Sequence, residues 1–65
     1  MKIIVNGETV ETVAETLARL LSEQGLGDAK VATSVNEVFV PKTARDGQPL
    51  NDGDRVEIVA PRQGG

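Results

Sequence analysis

Sixty-five residues, 38 % apolar and 26 % charged, make one domain near the size at which a hydrophobic core alone becomes marginal. Cysteine and histidine are both absent, which excludes disulfides, zinc fingers, persulfide chemistry on this chain and an imidazole base. Seven Lys and Arg lie scattered among ten Asp and Glu for a net charge of -3, so the chain lacks the basic footprint of a nucleic-acid binder.

The opening Met1-Lys2-Ile3-Ile4-Val5 carries one positive side chain, and its apolar run breaks at Asn6-Gly7, too short for a signal peptide or a membrane span. The chain reads as cytoplasmic. Lys2 to Asn6 is a β-branched run closed by Asn6-Gly7, the dipeptide that best suits a two-residue type I′ hairpin. A second strand, Glu8 to about Val13, pairs back on it. Thr9, Glu11 and Val13 face one way and Val10 and Thr12 the other, as in a half-exposed edge.

From Ala14 to Gln24 the period becomes helical, with Leu17, Leu20 and Leu21 in one stripe and Val13 or Ala14 a turn earlier. Two starts fit: Thr12-Val13-Ala14-Glu15 reads as a capping box, and Thr16 can cap a shorter helix. Glu15, Arg19 and Glu23 stand at i,i+4 steps on another face, where they can pair. Gly25 supplies the left-handed position that ends the helix.

After the loop Leu26 to Ala29, Lys30 to Val35 alternates, with Val31, Thr33 and Val35 on one face and Ala32 and Ser34 on the other. Asn36-Glu37 is a tight turn into Val38-Phe39-Val40, which Pro41 ends for want of an N–H. Lys42 to Gln48 is polar and irregular with one short helical turn. Leu50-Asn51-Asp52-Gly53-Asp54 then turns into a last strand, Arg55 to Ala60, whose Val56 and Ile58 face the core, and Pro61 stops it. This order describes an α+β sheet with a single helix across one face. One helix shields one face only, so Ile4, Phe39 and Val59, opposite in phase to the core set, are candidates for a docking surface; ordinary partly covered sheet residues are the plainer alternative.

Few residues invite chemistry. Asp52 and Asp54 flank Gly53, yet the rest of a calcium loop is missing and Asp-Gly is ordinary turn chemistry. Glu8 with Glu11, and Glu15 with Glu23, read as solvated faces. Gly25-Leu26-Gly27 follows a helix and lacks the remaining glycine and lysine of a phosphate loop. Lys2, Lys30 and Lys42 carry no sign of the desolvation that makes a nucleophilic lysine. The ending Gly64-Gly65, on the leash Pro61-Arg62-Gln63, is different. Neither glycine has a Cβ, so the Gly65 carboxylate rides on a thread slim enough for a narrow channel. Five residues reach at most roughly 17 Å beyond Ala60. The carboxylate is inert as an acyl donor until its oxygen joins a better leaving group, as adenylation would achieve.

The segments Ile3-Ile4-Val5-Asn6-Gly7, Thr16-Leu17-Ala18-Arg19-Leu20-Leu21, Val35-Asn36 with Val40-Pro41, Leu50-Asn51-Asp52-Gly53-Asp54, and Val56-Glu57-Ile58-Val59 leading to Gly64-Gly65, in that order, resemble the ThiS family of thiamine-biosynthesis sulfur carriers. The resemblance covers essentially the whole chain. It implies the ubiquitin-like β-grasp fold: a mixed four- to five-stranded sheet with one helix on one face, a domain over 1–60 and a flexible tail over 61–65. It implies that the chain is no enzyme and binds no cofactor or metal. An E1-like, ATP-dependent activating enzyme of the ThiF type adenylates Gly65, and sulfur from a donor such as a cysteine desulfurase converts it to a thiocarboxylate. A thiazole synthase of the ThiG type then receives the sulfur. Gly64 supplies the thin approach, Arg62 and Gln63 the contacts at the channel mouth, and the open face with Phe39, Ile4 and Val59 the docking surface. The free carrier is expected to be a monomer, with no nucleic acid or membrane as partner.

Departures from the family pattern are local. Thr33-Ser34 is more polar than the usual apolar and alanine run, Glu37 stands where a glycine often follows the asparagine, Lys42 replaces a frequent arginine, and the aromatic residue common after the proline is missing. Three other readings share the fold: the small subunit of molybdopterin synthase, a ubiquitin-like modifier whose Gly65 acylates a lysine, and a non-covalent β-grasp interaction module.

Overall fold

The computed structural model describes residues 1–60. The elements are β1 (Lys2–Val5), β2 (Glu8–Glu11), α1 (Leu17–Glu23), β3 (Ala32–Val35), β4 (Val38–Val40), a 3₁₀ helix (Lys42–Gly47) and β5 (Arg55–Val59). They form one five-stranded sheet in the order β2-β1-β5-β3-β4, so the last strand is its centre. β5 runs parallel to β1 and antiparallel to β3, and the two outer pairs are antiparallel hairpins.

Both hairpins turn through left-handed backbone. Asn6 and Gly7 have φ of 50° and 85°, as the dipeptide predicts, and Asn36 and Glu37 repeat the turn at 50° and 73° with a side chain where glycine would be unstrained. In each turn the asparagine amide also grips β5. Asn6 Nδ2 donates to the Ile58 carbonyl (3.1 Å) and its Oδ1 accepts from the Ile58 N–H (2.8 Å). Asn36 Oδ1 accepts from the Arg55 N–H (2.9 Å) while its Nδ2 donates to Asp54 (3.0 Å).

The second strand stops two residues short of the expected Val13. The Thr12 hydroxyl turns inward, accepting from the Ala14 N–H (2.9 Å) and donating to Glu23 (2.5 Å), and the chain bends there. Val13 is consequently 89 % exposed, and Ala14 supplies the buried residue before the helix. Of the two helix starts, Thr16 is the one used: its Oγ1 accepts from the Arg19 N–H (3.3 Å). The capping box at Thr12 does not form, because Thr16 is extended and bridged to Pro49, with Glu15 and Leu17 tied to the same distant segment. The Leu50 N–H donates to the Glu15 carbonyl (3.0 Å), and the Leu17 N–H to that of Gln48 (2.9 Å). Glu15 thus lies outside the helix and Glu23 is taken by Thr12. Among the described residues none of Glu15, Arg19 and Glu23 forms an ion pair, contrary to their spacing.

The helix ends as predicted. Gly25, at φ 77°, donates to the Ser22 carbonyl (3.1 Å), and the Leu26 N–H reaches back to Leu21 (2.8 Å), the paired bonds of a Schellman cap. Leu17, Leu20 and Leu21 are buried, and Leu17 and Leu20 share one core with Ile3 and Val5 of β1, Val35 of β3, Val40 of β4, Val56 of β5, and Leu50 ahead of that strand. Burying each leucine is worth about 1.5–3 kcal/mol. β3 starts two residues later than Lys30, β5 ends at Val59, and the irregular stretch before Gln48 is a six-residue 3₁₀ helix.

Candidate functional site

The residues expected to do chemistry, Gly65 and Gly64 with Gln63 and Arg62, lie outside the described residues, as does the expected tail over 61–65. What is described is the ground they leave from. β5 is hydrogen-bonded on both sides, and its last residue, Val59, stands opposite Ala32 of β3. The Asn6 clamp fixes the preceding residue, Ile58. The chain is therefore held by a central strand up to two residues before Pro61.

On the sheet face away from the helix, the strand register sets side chains in rows. Ile4 shares a row with Thr9 and Arg55; Glu57, Ser34 and Phe39 form the next; Val59 and Ala32 the last. Ile4, Phe39 and Val59 do face the same side, and Phe39 and Val59 are 65 % and 58 % exposed. They do not form one apolar patch. The charged Arg55 and Glu57 stand on β5 between Ile4 and Val59, and Ile4 itself is half-buried. Phe39 and Val59 instead flank Ala32 at the end of the sheet from which residue 60 departs.

A groove of about 320 Å³ opens at that end, lined by Ala29, Val31, Ala32, Phe39 and Pro41 together with Lys30, Lys42 and Arg45. Arg45 is only 7 % exposed. Its Nη2 donates to the Val31 carbonyl (2.6 Å) and its Nε to the Thr33 hydroxyl (3.1 Å), which in turn donates to the Val40 carbonyl (2.9 Å). All three acceptors are neutral. No carboxylate of the described residues lies within 4.0 Å of the guanidinium. Nothing in the aperiodic segment from Lys42 to Gln48 singles out Arg45 in the sequence; the signal that points to it is Thr33, a hydroxyl in the core phase of a strand, which demands a partner.

The paired acids prove structural. Asp54 Oδ2 accepts from the Asn51 N–H (2.8 Å) and Asp52 Oδ1 from the Lys2 N–H (2.8 Å), so both close the turn before β5. Among the described residues no cluster of acids could hold a metal ion, and no helix is long and apolar enough to cross a membrane.

Comparison with known proteins agrees with this architecture. The ThiS family profile matches residues 3–65. A sulfur carrier protein ThiS from Thermus thermophilus is 42 % identical over 62 residues, covering 94 % of this chain and 95 % of that one. A thiazole synthase from Paramagnetospirillum magneticum is 43 % identical over 61 residues, covering 92 % of this chain; the match spans 19 % of that longer protein. Among solved structures, the crystal structure of the thiamine biosynthesis protein ThiS from Geobacter metallireducens superposes with a TM-score of 0.84 at 30 % identity, covering all of both chains. The solution structure of a thiamine biosynthesis protein from the same organism gives 0.77 at 30 % identity, covering all of this chain and 88 % of that one. With its five-stranded mixed sheet, single helix and match from Ile3 through the two glycines, the chain is a ubiquitin-like β-grasp domain and belongs to the ThiS family.

Proposed function

We propose that this chain is a sulfur carrier of thiamine biosynthesis and that it works through the Gly65 carboxylate. The observation that carries the reading is the family match, which runs through Gly64-Gly65, with 42 % identity to a named sulfur carrier of nearly the same extent. A Gly65 oxygen attacks the α-phosphorus of ATP in a ThiF-type activating enzyme and expels pyrophosphate. The acyl-adenylate then has a good leaving group. The outer sulfur of a persulfide on a donor such as a cysteine desulfurase attacks the acyl carbon and expels AMP, and a thiolate outside this chain then attacks the donor sulfur of the resulting acyl disulfide, forming a disulfide with the donor and releasing the thiocarboxylate.

The thiocarboxylate hands its sulfur to a thiazole synthase of the ThiG type. The similarity to part of a thiazole synthase supports that pairing. Gly64 keeps the approach slim, and Arg62 and Gln63 contact the channel mouth. The Gly65 carboxylate is the one reacting group the chain brings to these steps; the domain's contribution is to present it beyond a firmly held strand. Incubation with activating enzyme, ATP and a sulfur source is expected to replace one oxygen by sulfur within the C-terminal peptide, as read by intact mass and fragmentation. Deleting Gly65 abolishes the shift. An unchanged mass for the intact chain, or modification elsewhere, refutes the reading.

A further inference from the structure

Three of the seven cationic side chains and none of the ten acids line the groove between the start of β3, Pro41 and the 3₁₀ helix. On a chain of net charge -3 this is a segregated positive site. Its floor is apolar, from Val31, Ala32, Phe39 and Pro41. Arg45 adds the unusual element: a permanently charged guanidinium, more than nine-tenths buried, tied to two neutral oxygens and with no carboxylate of the described residues within 4.0 Å. Folding has already removed most of its water. A carboxylate brought to it therefore gains a charge-assisted bond without the usual cost of desolvating and ordering the arginine.

We propose that this groove docks an acidic-apolar segment of a partner protein, with a carboxylate directed at Arg45, further acids at Lys30 and Lys42, and an apolar side chain on the floor by Phe39. Its position argues for a partner that acts on the tail, since Ala32 lines the groove and also pairs with Val59, the last residue of β5. That placement rests on the carrier function proposed above; the chemistry of the groove does not. Lys30 and Lys42 are exposed and bear no ion pair among the described residues, so reversing their charge tests recognition and not folding.

The probe is a capped pentapeptide, Glu-Leu-Asp-Phe-Glu, titrated into the full ¹⁵N-labelled chain, with Lys-Leu-Lys-Phe-Lys as control. Amide shifts are expected at Val31, Ala32, Phe39, Lys42 and Arg45 with the acidic peptide alone, and K30E/K42E weakens them about tenfold or more. Equal response to both peptides, or shifts centred elsewhere, overturns the proposal. So does either rival occupant: groove shifts that depend on protein concentration mean a second copy, and changes at residues 62–65 in peptide-free K30E/K42E mean the chain's own end. Binding of thiazole synthase is measured in parallel. If the wild-type chain binds the enzyme and K30E/K42E binds it equally well, the docking role falls while the carrier reading stands. If the peptide binds as described and no sulfur reaches Gly65, the carrier reading falls while the groove stands.

Discussion

At the scale of single residues, Thr33 and Arg45 hold the molecule's buried polar pair. Thr33 accepts from Arg45 and donates to Val40, so its hydroxyl spends both its donor and an acceptor site inside the protein. Replacing it with the isosteric valine leaves the shape and removes the partner of a buried cation. Thr33→Val is expected to cost about 1–3 kcal/mol, read by urea denaturation. The same pair marks where sequence reading reaches its limit. Thr33 is recognisable as an oddity in a core phase, but the residue that satisfies it lies twelve positions away in a segment without periodicity. Only the folded sheet brings them together.

At the scale of elements, local rules worked where the determining contacts were local. Asn6-Gly7 and the alternation around it specify the first hairpin, and Gly25 specifies the helix end, each within a few residues. They failed at the helix start, because the bonds from Leu17 to Gln48 and from Leu50 to Glu15 come from a segment some thirty residues on, and at Thr12, whose hydroxyl answers to Glu23 across the turn. Two glycine substitutions separate the backbone contributions. A Cβ built on Gly25 or on Gly47 meets nothing within 4 Å, so space does not decide either case. Gly25 holds φ 77° and Gly47 has no positive φ. Gly25→Ala is expected to destabilise by about 1 kcal/mol through left-handed strain. Gly47→Ala is expected to stabilise by about 0.4–1 kcal/mol by restricting the unfolded chain. Thermal unfolding shows the opposite signs as shifts of about 4–8 °C per kcal/mol.

At the scale of the whole molecule, stability is scarce. A chain of this length has roughly 3–10 kcal/mol in total at about 0.05–0.15 kcal/mol per residue. Leu20 is fully buried between α1 and the sheet, and Leu20→Ala is expected to cost about 2–5 kcal/mol, a fifth or more of that total. Its signature is a loss of protection from hydrogen exchange throughout β1, β3 and β5, since one core serves every strand. The Gly-Gly ending, on which the proposed function rests, is visible in the sequence because it needs no fold to be seen. The cationic groove is not, because Lys30, Lys42 and Arg45 become neighbours only when β3 and β4 pair. The central place of β5 bears on how the protein is made. Until residues 55–59 have been synthesised, β1 and β3 have no strand between them and the core lacks Val56, so a chain interrupted earlier has nothing to close around. Folding thus waits for the strand that leads directly into residues 61–65, and a translation product cut short of it stays open to proteolysis instead of circulating as a folded decoy.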